Sequence, residues 1–133
     1  MAGYEESLRS ISLDADASIG IYTGVPNQPG SAVPNYGKMY CFVKVTGSHQ
    51  VGLCTAATDP IVGILQNKPQ KPGAAATVGF SGVSNLMSGG IITAGAFVAP
   101  KADGTAVVDA TNGKWQALAA AASGETFPAL RVL

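Results

Sequence analysis

From Lys38 to Leu133 the chain is a succession of short apolar runs, interrupted by Gly, Pro, Asn and Ser clusters every 8 to 15 residues. That spacing leaves no room for long helices and is the rhythm of a small β barrel or sandwich. Met39 to Thr46 (MYCFVKVT) alternates and is rich in aromatic and β-branched residues; Gly47, Ser48 and His49 supply a turn, and Gln50 to Thr55 returns, which predicts a hairpin. Pro60 to Gln66 (PIVGILQ) reads as a strand with Gly63 at a bulge or close backbone approach. Residues 74 to 86 give one or two strands bent at Gly79 or Gly82, and residues 91 to 100 give two short pieces around Gly95. Trp115 to Ala122 (WQALAAAA) has high helix propensity, but Asn112-Gly113 and Ser123-Gly124 bracket it closely. It is expected to be a strand in a hairpin with Phe127 to Leu133. The 17 glycines and 8 prolines fit this all-β reading, a small barrel-like or sandwich-like domain.

Residues 1 to 37 differ in kind. An alternating patch from Leu8 to Leu13 precedes a Pro/Gly/Asn/Ser-rich run in which Pro26, Pro29 and Pro34 interrupt any continuous strand. This predicts two parts: an extended N-terminal arm and linker over 1–37, and a β domain over 38–133. An extended segment with unpaired backbone groups gains most by adding to a sheet edge. Leu8, Ile11 and Leu13, with Ile19, Ile21 and Tyr22 beyond them, are the expected anchors of such an arm on a partner; the alternatives are a disordered tail or a first strand closing its own barrel. Residues 1 to 16 hold four acids and one base, whereas Lys38, Lys44, Lys68 and Lys71 face Asp59 alone in residues 38 to 71. Complementary pairing of the two segments competes with scattered surface charge.

Charged residues are only 12% of the chain against 47% hydrophobic, and eight bases balance eight acids. The basic footprint of a nucleic-acid binder is missing, and no apolar run reaches the length of a membrane-spanning helix. The acidic start lacks the pattern of a secretory signal, which predicts a protein made in a reducing cytoplasm, with Cys41 and Cys54 as buried free thiols. One histidine, His49, sits in a turn and with two cysteines cannot complete a structural zinc site. Gly79-Phe80-Ser81-Gly82 has its first Gly one place too early for a nucleophile elbow. Asp59, Asp103, Asp109 and Glu125 are the candidate carboxylates for glycoside chemistry, yet Asp59, Asp103 and Glu125 lie in turn sequences. No glycine pattern cradles a nucleotide. The chain therefore reads as a structural or binding protein without catalysis or cofactor.

Four segments in order carry a family resemblance: Ala57 to Leu65 (ATDPIVGIL), Ala76 to Val83 (ATVGFSGV), Ser88 to Gly95 (SGGIITAG) and Ala102-Asp103-Gly104, with a final strand to Leu133. Over residues 38 to 133 this resembles the small head-decoration, or capsid cement, proteins of tailed bacteriophages. The resemblance implies a non-enzymatic virion protein on the outer surface of the capsid, bound to the major capsid protein as a homotrimer or other homo-oligomer and clamping neighbouring subunits. The competing readings are another minor head or tail protein and a carbohydrate-binding module. For the module only Trp115, Tyr4, Tyr22, Tyr36 and Tyr40 offer rings for sugar stacking, without a clustered platform.

Overall fold

The computed structural model describes residues 8–19, 38–69 and 71–132, whose regular structure is all β. Five strands close a barrel in the order β1-β3-β2-β4-β5: β1 (Arg9–Ala15), β2 (Phe42–Gly47), β3 (Gln50–Leu53), β4 (Ile61–Leu65) and β5 (Ala75–Ser81). The hairpin expected at residues 39–55 is β2 and β3, with Val43 opposite Leu53 and Val45 opposite Val51. A second sheet runs β6-β10-β9-β7-β8, from β6 (Val83–Met87), β7 (Phe97–Pro100), β8 (Ala106–Val108), β9 (Trp115–Ala117) and β10 (Thr126–Arg131). Ser88, just after β6, bridges Ala106 of β8, so the two outer strands of this sheet meet at one end.

Two elements differ from the sequence expectation. The Leu8–Leu13 patch is not an arm outside the domain: β1 pairs antiparallel with β5 from Arg9 opposite Ser81 to Asp14 opposite Ala75, and parallel with β3 at Asp14 and Ala15. Residues 9–15 thus belong to the barrel, and the boundary at 37/38 cuts through it. Pairing backbone groups with β5 satisfies them without a partner chain. The Ala-rich segment does form a hairpin with β10, but its strand ends at Ala117; beyond it Ala121 exchanges two backbone hydrogen bonds with Ile92. Four consecutive alanines supply neither the charged pairs nor the length that an isolated helix needs.

The apolar residues fall into two clusters that share a wall. Val43, Val51, Leu65, Ala76 and Val78 fill the barrel, whereas Phe42 and Ile64 point out of it to meet Leu86, Val98, Trp115 and Phe127 of the second sheet. Strands β2 and β4 are therefore buried on both faces, which accounts for the unbroken apolar text CFV and IVGIL. The sheet-to-barrel corner is Gly82, whose φ of 96° lies in the left-handed region that glycine adopts without strain.

Gly63 of β4 lies against β5. A Cβ there would strike the Gly79 carbonyl oxygen and come within 2.7 Å of Val78 Cγ1. Because the obstacle is largely backbone, Gly63→Ala is expected to lower stability by about 1–3 kcal/mol, the range for overpacking a closed core. Urea unfolding at neutral pH checks this: the midpoint should fall with little change in slope.

Candidate docking surface

The carboxylates weighed for glycoside chemistry are occupied in turns. Asp59 accepts from the amides of Thr55 (2.7 Å) and Ala56 (3.1 Å) and from Lys44 Nζ (2.9 Å). Asp103 accepts from the Thr105 amide and hydroxyl, Asp109 from the amides of Thr111 and Asn112, and Glu125 from the Ala122 amide at 2.7 Å. Each carboxylate closes its own loop, which is the ordinary work of an Asx-type turn. His49 is exposed at the tip of the β2–β3 hairpin, where its φ is 54°. Among the described residues no three His, Cys, Asp or Glu side chains are placed to hold a metal ion. A shallow cleft of about 350 Å³ separates the Asp59 turn from Thr111–Lys114.

The cysteines are free and buried on opposite sides of the shared wall, Cys41 with the barrel cluster and Cys54 with the cluster facing the second sheet. Burial pushes Cys41 up to about 11 and Cys54 up to about 12, so both are thiols at neutral pH. Trp115 is fully buried, which removes the largest ring from any sugar-stacking surface.

The expected arm residues separate. Leu13 packs onto the barrel cluster, Ile19 is buried within it, and Leu8 lies over Gly79, while Ile11 is 41% exposed. Ile21 and Tyr22 lie outside the described residues. Leu13 on β1 and Ile19 in the turn after it are core groups, because both pack into the barrel cluster. The β5 edge of β1 is paired along the strand, but among the described residues the other edge pairs only with β3, at Asp14 and Ala15.

The surface that stands out is one the sequence reading did not identify, the outer face of the second sheet. Pairing aligns Phe97 with Gln116, Gln116 with Leu130, and Leu130 with Val83 in one row across four strands. The neighbouring row holds Leu118, whose amide donates to Pro128 O, then Pro128 and Asn85. Phe97 is 38% exposed and Leu118 48% exposed. In all five strands of this sheet the one charged residue is Arg131, whose guanidinium turns away to the Phe80 carbonyl at 3.2 Å. Barrel strands, by contrast, carry Arg9, Asp14 and Lys44. The charged residues of the strands thus lie on the barrel side, and an uncharged, partly apolar sheet face is left exposed.

No family profile matches this chain, and no curated protein matches it. Among solved structures, the fold is similar to the N base of the head fibre gp8.5 of bacteriophage phi29, with a TM-score of 0.64 over 94% of each chain at 15% identity.

The turn acids give a pH dependence. Hydrogen bonds hold Asp59 below the ordinary 3.8, the Thr55 amide first and Lys44 next. For Asp16, partial burial pushes upward, but the Ser18 and Thr46 hydroxyls and the Ser18 and Ile19 amides outweigh it and its pKa is also lowered. A depressed folded-state pKa contributes stability that is present above 3.8 and is lost as pH falls through the folded value. The urea midpoint should therefore fall as pH drops from 3.8 toward the folded values, and Asp59→Asn should flatten the decline. In a second measurement, a thiol reagent at neutral pH should leave Cys41 and Cys54 unmodified in native protein and label both in urea.

Proposed function

We propose that this chain is a structural protein of a tailed-phage head, attached to the outer surface of the assembled capsid through the uncharged outer face of its second sheet. The reading rests on one observation above others: nearly the whole chain shares its fold with the base of a phage head fibre. The four segments that resemble capsid cement proteins support it, since they form β4, β5, the Ser88–Gly95 connection and the turn before β8. The partner is the major capsid protein where neighbouring subunits meet, and copies gather there as a homotrimer or another homo-oligomer. Clamping follows if one face spans two subunits, because separating them then exposes the apolar rows on both sides. Catalysis and cofactors have no part in this role.

An apolar, charge-free face suits such a partner because association needs no desolvation of ions, and a few large side chains carry most of the binding free energy. The edge of β1 beside Ile11, unpaired among the described residues, provides a second contact, where a strand of the capsid protein adds by main-chain hydrogen bonds.

Phage heads lacking this protein, mixed with purified chain and sedimented, test the reading. Wild type should co-sediment at a fixed number of copies per head. The double variant Phe97→Glu, Leu118→Glu should lose at least about 100-fold in affinity, roughly 2.7 kcal/mol, while keeping its circular dichroism spectrum. Lys71→Glu, on an exposed barrel turn, should bind as wild type. Undiminished binding by the double variant would remove the sheet face from the interface, and no binding by wild type would overturn the proposal.

A further inference from the structure

The sequence contains one Asn-Gly pair, Asn112–Gly113, in the turn between β8 and β9. Such a pair is chemically labile, because a residue without a side chain lets its own backbone nitrogen approach the preceding carboxamide. We propose that Asn112–Gly113 is a latent deamidation site that the folded turn holds inert and that reacts only when this turn opens. In the reaction the Gly113 nitrogen gives its proton to solvent base and bonds to Asn112 Cγ, and the carboxamide nitrogen leaves as ammonia. Water then opens the cyclic imide at either carbonyl, leaving an aspartyl or isoaspartyl residue at position 112. No oxidant, metal or second protein is required.

The turn restrains both reacting groups through one residue. The Gly113 N–H donates to Asp109 O at 3.0 Å, so the nucleophile is occupied, and Gly113 itself is buried. Asn112 donates its amide to Asp109 Oδ1 at 2.9 Å and Nδ2 to Asp109 Oδ2 at 3.1 Å, which holds the carboxamide away from its neighbour's nitrogen. Packing also explains why a labile pair stands here. A Cβ at position 113 would lie 2.6 Å from Asp109 O, 2.8 Å from Phe97 Cβ and 2.8 Å from Val98 N, so only glycine fits against β7.

The product does not fit the same turn. A carboxylate at 112 sets oxygen against Asp109 Oδ2 where Nδ2 now donates, and an isoaspartyl linkage lengthens the main chain where not even a methyl group has space. Opening followed by reaction is therefore one-way, and it damages the turn that seats β9 beside β7.

The full chain, aged in mildly alkaline buffer with and without urea, tests this by mass spectrometry of the peptide carrying Asn112. Deamidation should be at least about tenfold slower in the native protein, as expected when reaction requires local opening. Equal rates would overturn the proposal. Asp109→Ala should bring the native rate toward the urea rate, and Asp109→Asn, which releases the Nδ2 contact alone, serves if the alanine variant does not fold; a folded variant reacting at the wild-type native rate would remove Asp109 as the restraint. Protein aged in urea and then refolded should lack the isoaspartyl form in its folded fraction, and its recovery there in proportion would refute the one-way step.

Discussion

The structure depends on a wall buried from both sides. Phe42 and Val43 are neighbours in β2, Ile64 and Leu65 neighbours in β4, and within each pair one side chain enters the barrel while the other meets the second sheet. All four are completely buried. Full burial of such a side chain contributes about 1.5–3 kcal/mol, so two adjacent strands stabilise both halves of the molecule at once. The two sheets are in this sense one cooperative unit, joined further where the Phe42 amide donates to Gly104 O and the Met87 amide to Tyr40 O. Gly63 belongs to the same constraint: β4 approaches β5 so closely that a side chain there would strike the Gly79 carbonyl, whereas a Cβ at Gly79 itself would meet the Leu8 side chain.

A sheet that packs one face on this wall has its other face left over. In an ordinary antiparallel sheet that second face alternates to charged and polar residues, but here the rows are Phe97–Gln116–Leu130–Val83 and Leu118–Pro128–Asn85. The departure is confined to one half of the molecule, since barrel strands carry Arg9, Asp14 and Lys44 at exposed or half-buried positions. A general shortage of charge would not produce that asymmetry.

Local features were the legible ones. The β2–β3 hairpin follows from alternation around Gly47-Ser48-His49, and Gly63 within β-branched residues marks a close backbone approach. Buried free thiols are expected from the sequence, though not their opposite orientations. The place of β1 is not legible locally, because its partners are remote: Arg9 pairs with Ser81 and Leu13 with Ala76, which leaves an arm and a barrel strand equally open in the sequence. The prolines after it announce an interruption in the chain but carry no information about where the strand before them returns. The Ala-rich stretch shows the same limit, for propensity argues over eight residues while the pairing of Ala121 with Ile92 decides the outcome. The docking face was illegible for a stronger reason. Its residues come from four strands between Val83 and Leu130, each an unremarkable member of its own segment, and only the strand order places them in one row.

The distribution of acids completes the argument about that face. The chain has eight acidic residues, and Asp16, Asp59, Asp103, Asp109 and Glu125 each accept hydrogen bonds that close a turn or tie neighbouring segments. Carboxylates spent in this way are fixed beside backbone amides, and their negative charge is partly neutralised where it stands. They hold loops together at the ends of the strands, and the rows around Phe97 and Leu118 carry no ionic side chain of their own. A charge-poor chain that places its acids in turns therefore leaves the strand rows of one sheet face without ionic side chains. Such a surface is suited to contact with a large, fixed partner rather than to steering a small charged one.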